Sequence, residues 1–420
     1  VGITRRADRA ASNLAALARI ARQLRSQRSA HSHNQSISLA RHPDLVHFAL
    51  AVGGFAIGTT EFATMSLLPW FARDLGVSAP TAGHAISAYA LGVVLGAPLI
   101  AVLAARVPRR DLLIGLMLVF ALANGLTGLV PSYSWMLALR FLSGLPHGAY
   151  FGVAMLVAAS LVPEDQRAQA AARVLMGLTV ATIIGVPCAQ WLGQSVGWRW
   201  GFGIVAALSL ITATLVALYA PHQPPTDGAS PMTELGALKN RDVLLTLAMG
   251  AIGFGGLFSV YTYLADTLLS VTHVREGLVP LVFAVFGAGM MSGLVIVPGF
   301  AHGRLMATAG WLLVWFAATL TLYTFAVGHL WTIALSVFAI GLGGALGPVL
   351  QTRLMDVAGD AQTLAAALNH SAFNIANALG PLLGGAAIAH GFGLQSTGLV
   401  GAGLALGGLA IWAFALKVQR

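Results

Sequence analysis

The chain has 420 residues, of which 57% are hydrophobic and only 9% charged, with a formal net charge of +9. A soluble domain carries roughly 25% charged residues, so this inventory cannot build a water-facing surface. The positive excess does not describe a nucleic-acid-binding face either: residues 1–41 hold eight arginines and one aspartate, while the remaining 379 residues carry a net of only +2.

Glycine is abundant, with 49 residues, about 12% against the ~7% of average usage. Small residues let apolar helices approach closely in lipid, where packing replaces hydrophobic association. The expected class is therefore an all-α integral membrane protein. The single cysteine, Cys188, excludes an intrachain disulfide and a cysteine-based zinc or iron–sulfur site. The twelve scattered histidines form no paired metal-ligand motif, so neither metal nor cofactor is expected.

In chain order, residues 1–42 form a basic N-terminal tail, expected to be cytoplasmic and disordered. Leu14, Leu17, Ile20 and Leu24 could instead line one face of a surface-lying amphipathic helix. Apolar runs long enough to cross a ~30 Å hydrocarbon core then recur near 45–71, 82–104, 111–130, 134–158, 174–193 and 200–220. A proline-rich polar stretch, 221–241, reads as a linker. The pattern resumes near 243–265, 278–300, 308–328, 331–350, 364–388 and 395–416. About twelve transmembrane helices are predicted, divided into bundles at 43–220 and 242–420.

The halves echo one another at an offset of roughly 194–197 residues. Phe141-Leu142-Ser143-Gly144 resembles Phe338-Ala339-Ile340-Gly341, Gly185-Val186-Pro187 resembles Gly380-Pro381, and Gly197-Trp198 matches Gly391-Phe392. Such pseudo-symmetric repeats place a substrate site between the halves, near the bilayer midplane. With the N-terminus inside, the cytoplasmic segments hold 19 of 23 basic residues, and the outer loops only Arg73, Arg199 and Arg275. The positive-inside rule then makes both termini cytoplasmic.

Ionisable groups within hydrocarbon are costly and invite a functional explanation. Sorting the acids and bases by segment leaves Glu61 inside span 1 and Arg140 inside span 4. Glu61 lies ~15 Å from the outer end at Phe71, and Arg140 ~7–8 Å inward from Trp135, at 1.5 Å per residue. Both occupy the outer half, so a Glu–Arg pair, or alternating contact, is geometrically allowed. Burial favours a neutral carboxyl and a nearby cation favours its charged form, so a moving arginine could switch a proton carrier. A structural hydrogen bond for Glu61 and snorkelling for Arg140 are the plainer readings. His147, Asn124, Gln190, His370, Asn374 and Asn377 read first as interhelical hydrogen-bonding groups. Tyr89, Tyr150, Tyr261 and Tyr263 could pack or line a cavity. The substrate-cavity candidates are His147, Tyr150, Gln190, Tyr261, Asn374 and Asn377.

From about Pro43 onward the chain resembles the major facilitator superfamily, and within it the drug:proton antiporters that include arabinose efflux permeases. The likeness is carried by Gly58-Thr59-Thr60-Glu61-Phe62, by the run from Arg140 to Gly152, by Gly185-Val186-Pro187 with Gly197-Trp198-Arg199, and by Phe373 to Gly385. It implies alternating access driven by proton antiport, with Glu61 protonated and Arg140 coupling. It also implies an antiporter bend in helix 5 at Gly177, Gly185 and Pro187. The inner loop after span 2 keeps Gly96, Arg106, Arg109 and Arg110, but Ala105 stands where the family's gate aspartate is expected. Cys188-Ala189-Gln190 replaces the glycines that usually follow the helix-5 proline.

The implied protein is an efflux carrier for a sugar-like or drug-like solute in a bacterial inner membrane, working as a monomer with protons and lipid as its other partners. Proton-coupled uptake is the alternative. A membrane enzyme would need clustered chemistry that is not visible, and no phosphate-cradling loop for ATP is present.

Overall fold

A computed structural model describes residues 43–104, 106–163, 166–222, 240–301, 303–358 and 362–418. The basic tail, most of the linker and Ala105 lie outside the described residues. Among those described, twelve helices are long and apolar enough to span a bilayer.

In the first half these are α1 (Pro43–Ser66), α2 (Ala79–Leu103), α3 (Arg109–Thr127), α4 (Tyr133–Ser160), α5 (Arg167–Val180 continuing through Val186–Ser195) and α6 (Arg199–Tyr219). The second half contains α7 (Arg241–Gly253 continuing through Gly255–Ser270), α8 (Val279–Ala301), α9 (Leu305–Ala326), α10 (Leu330–Leu342 continuing through Leu346–Val357), α11 (Gln362–Ala387, with a terminal turn to Phe392) and α12 (Ser396–Val418).

Local chemistry sets several of these ends. Ser78 caps α2 by accepting from the Thr81 amide, and Asn240 caps α7 by accepting from Asp242 and Val243. Span 1 ends earlier than its apolar run suggests. Leu67 interrupts it, and Pro69 starts a separate short helix, Leu68–Asp74, because proline fits the first turn of a helix and not its interior. Phe300, Trp311, Phe325 and Trp331 are among many large apolar side chains left exposed, as suits a surface facing lipid rather than water.

The repeat is exact in its backbone contacts. In the first half, a Cβ on Gly92 would lie 2.2 Å from the Phe141 carbonyl oxygen, one on Gly96 2.2 Å from that of Leu145, and one on Gly144 2.1 Å from that of Tyr89. The second half repeats this 197 positions later, with Gly289 on Phe338 (2.2 Å), Gly293 on Leu342 (2.2 Å) and Gly341 on Phe286 (2.4 Å). The α2–α4 and α8–α10 pairs are thus the same interlock built twice. Gly96 belongs to it, inside α2, and not to the gate loop in which its sequence motif placed it. Gly197 and Gly391, the matched glycines after spans 5 and 11, both take positive φ, at 119° and 86°.

The halves meet through α1 on α7, α2 on α11 and α5 on α8. Toward the face remote from Pro43 and Val418, Phe62 stacks near Phe258 (6.2 Å) and meets Tyr261 edge-on (5.6 Å). Gln194 there donates to the Glu276 carbonyl at 2.9 Å. Near mid-depth, Ser87 donates to the Ala378 carbonyl at 3.0 Å. On the side nearer Pro43 and Val418, the rings of Phe151 and His370 stack at 5.3 Å, nearly parallel.

Candidate functional site

Glu61 sits on the last two turns of α1 and is 7% exposed. Its Oε1 accepts a 3.0 Å hydrogen bond from Asn377 Nδ2 on α11. The carboxyl group of the first half is therefore held by an amide of the second. The other oxygen of that amide, Asn377 Oδ1, is buried without a partner.

Arg140 is almost fully buried, one of the largest such side chains in the protein. Its Nη1 donates to Thr60 Oγ1 at 3.2 Å, and the Thr60 hydroxyl donates to Asn124 Oδ1 at 2.8 Å. Asn124 in turn donates to the Phe120 carbonyl at 2.8 Å. The guanidinium also lies over the Tyr89 ring, 4.2 Å from its centroid, with Phe202 beyond at 5.6 Å. These rings contribute a cation–π attraction where water is excluded. Spans 1 and 4 are therefore neighbours, but Arg140 engages Thr60, the residue preceding the acid. No Glu61–Arg140 ion pair within 4.0 Å is formed among the described residues. The two side chains are bound to different partners, one in each half.

From Tyr89 the polar path continues. Its hydroxyl pairs with His147 Nδ1 at 2.9 Å, and His147 packs at 5.3 Å from Phe151 and 6.5 Å from His370 on α11. His147 thus reaches the seam between the halves. Asn374 donates to the His370 carbonyl at 3.0 Å and leaves its Oδ1 unpartnered. Gln190 is fully buried with both amide atoms unpartnered, and the Tyr261 hydroxyl is likewise without a partner among Phe62, Phe283 and Phe286. A buried polar group left unpaired costs about 1–3 kcal/mol, so these atoms are places where a ligand's polar groups would be welcome. Tyr150 stands apart from them. Its hydroxyl donates to the Leu50 carbonyl at 2.8 Å, against Gly53, inside the first half.

The helix-5 residues lie at a real irregularity. A π-turn, Ala181–Gly185, widens the helix just before Pro187, whose missing amide breaks the regular ladder. Gly177 and Gly185 let α5 press onto α1: a Cβ would fall 2.1 Å from the Ala51 carbonyl and 2.3 Å from Thr59 Oγ1 respectively. Of the loop arginines, Arg106 is exposed and Arg109 half-buried. Arg110 donates to the Ala217 carbonyl and contacts the His222 ring.

Two features escaped sequence reading. Thr60 is the hub of the arginine network, and the polar run Thr59-Thr60-Glu61 was its signal. Asp266 lies inside α7, because that helix continues to Ser270 and past the end of its strongest apolar run. Glu61 is therefore not the sole acid within a span. Asp266 Oδ2 is buried and unpartnered, opposed by the charge of Arg73.

Two six-helix repeats with buried charge at their seam define a membrane carrier rather than an enzyme. The profile of the Major Facilitator Superfamily matches residues 50–309, and the chain belongs to that family. It is a multi-pass membrane transporter for a small-molecule substrate. It is 40% identical over 364 residues to the inner membrane transport protein YdhP of Escherichia coli K12, covering 85% of this chain and 93% of that protein. It is 35% identical to the chloramphenicol resistance protein of Streptomyces lividans, covering 82% and 89%. In fold it matches a bacterial homolog of the human lysosomal transporter Spinster, with a TM-score of 0.67 at 16% identity over 90% of this chain and 97% of that one.

Proposed function

We propose that the protein exports a small, largely uncharged organic solute from the cell across the inner membrane in exchange for protons, with both chain termini on the cytoplasmic side. The observation that carries this reading is the Glu61–Asn377 hydrogen bond between the halves. Alternating access moves one half against the other, so this bond must break in each cycle. A carboxylate accepts a hydrogen bond roughly twice as strongly as a neutral acid does. Ionised Glu61 therefore clamps α1 to α11, and a proton on Glu61 loosens the clamp. Arg140, fixed beside it through Thr60, favours release of that proton once the site has turned to the other side.

Gln190, Tyr261, Asn374 and Asn377 supply unpartnered polar atoms for the solute, and the aromatic rings around Tyr261 supply apolar surface. The chloramphenicol resistance protein, named for an aromatic drug, makes that compound a sensible first probe. Single chains suffice for this scheme, since the whole site lies within one chain.

The test is transport in proteoliposomes under an imposed proton gradient, with a panel of labelled drugs and sugars. Movement of solute opposite to protons, lost in Glu61→Gln while exchange without a gradient persists, is expected. Solute accumulation in the same direction as protons would replace export with uptake. Unchanged coupling in Glu61→Gln would remove Glu61 as the proton carrier.

A further inference from the structure

We propose that the second half carries a phosphate-binding pocket, occupied by the headgroup of an anionic phospholipid, on the membrane face that bears Pro43 and Val418. A cavity of about 570 Å³ opens where the end of α8, the start of α9 and the end of α10 converge, lined by Pro298, Arg304, Met306, Thr352, Arg353 and Asp356 among others. It lies far along the bundle from Glu61 and Arg140 and plays no part in the carrier scheme.

Three observations point to an anion. Arg304 and Arg353 both line the cavity, and Arg353 Nε is buried without a hydrogen-bond partner. A planar guanidinium suits the bidentate capture of phosphate oxygens. The first residues of α9 also line it, and Arg304, the residue before that helix, gives it no side-chain cap. The first amides of a helix have no acceptor within it and favour negative charge. Asp356 is the acid in the wall, yet it makes no ion pair within 4.0 Å with either arginine among the described residues.

The repeat sharpens the case. The loop after α2 in the first half corresponds to the loop after α8 in the second. In the first half, Arg110 is held by the Ala217 carbonyl and by His222. In the second, the cavity occupies the place where such protein partners would stand. Phe300 and Met355, each beside cavity residues in sequence, are exposed apolar side chains on a lipid-facing surface. A phosphate arriving here with acyl chains attached would bury those chains alongside them. Basic pockets between transmembrane helices at the headgroup level are where anionic lipids are held.

The experiment is native mass spectrometry of the full-length protein, titrated with phosphatidylglycerol, with phosphatidylethanolamine, and with phosphatidylglycerol in the presence of millimolar inorganic phosphate. Wild type should retain phosphatidylglycerol about tenfold or more tightly over phosphatidylethanolamine, and Arg304→Gln with Arg353→Gln should erase that preference, the scale of lost charged hydrogen bonds. Asp356→Asn, which removes no basic group, should strengthen retention, so the proposal stays testable if the double variant folds poorly. Equal retention of the two lipids, or an unchanged preference in the double variant, would overturn the proposal. Displacement of the lipid by inorganic phosphate would assign the pocket to free phosphate and overturn the lipid assignment.

Discussion

The two halves share a backbone and differ in charge. Their α2–α4 and α8–α10 interlocks use glycines on carbonyls at a constant spacing of 197 residues. At the same spacing, Arg140 faces Val337 in the register, Glu61 faces Phe258 and Tyr89 faces Phe286. One copy of the repeat holds the charged groups, and the other offers hydrophobic rings and the single amide of Asn377. Architecture thus rests on features that duplicate without cost, whereas buried charge is expensive in hydrocarbon and appears once. A second acid–arginine pair would add a second desolvation penalty without a second substrate path.

That division can be broken from the charged side first. Glu61→Gln should lower proton-driven transport by about 10- to 100-fold, the scale of a lost charged hydrogen bond, while leaving the melting temperature of the purified protein unchanged or higher. Fluorescence thermal unfolding beside the transport assay separates the two effects.

The shared backbone makes a different forecast. Gly92→Val and Gly289→Val each place a side chain on a carbonyl already within 2.2 Å of the added Cβ. Each should destabilise its own half by about 1–3 kcal/mol, as overpacked cores do. Equal losses in Tm would support structural equivalence. A large loss for one and none for the other would show that the interlocks are not used alike.

From the uncharged side, Asn377→Ala removes the acceptor-side partner of Glu61 while keeping the acid. Transport should fall by about fivefold, one neutral hydrogen bond's worth, and its pH dependence should move. No change in the pH profile would detach Asn377 from coupling.

The smallest effect belongs to a latch within the first half. Asp74 is bonded by Arg199 and by Trp198 Nε1, the latter at 3.0 Å, and these hold its carboxyl below the usual carboxylate range. Its folded pKa is depressed, so its stabilisation is present above the unfolded value near 3.9 and is lost as pH falls through the folded one. Asp74→Asn should therefore lower Tm slightly at neutral pH, with the difference vanishing in acid.

Much of this was legible in residue order. Apolar run lengths gave the twelve spans to within a few residues, and the Phe141 and Phe338 segments revealed the duplication because a close-packed glycine face repeats strictly. Glu61 and Arg140 stood out because charge in an apolar run is conspicuous. Their partners were not legible. Asn377 lies 316 positions from Glu61, and an asparagine on a polar helix stripe looks the same whether it bonds an acid, a backbone carbonyl or a ligand. Tyr150 was grouped with cavity candidates by residue type, although its hydroxyl is consumed by Leu50. Asp266 was placed outside its span because hydropathy falls before the helix itself ends.

The glycine–carbonyl contacts also constrain how the molecule can move. A side chain between helices can change rotamer and let them slide, but a carbonyl seated where a Cβ would stand leaves nothing to rearrange. Each interlocked pair is therefore a stiff beam, and the two beams are hinged on each other near Ser87 and Ala378. When the Phe151–His370 end parts, the Phe62–Tyr261 end must close. The protein is a seesaw, and its stroke is set by the distance from that fulcrum to each aromatic contact.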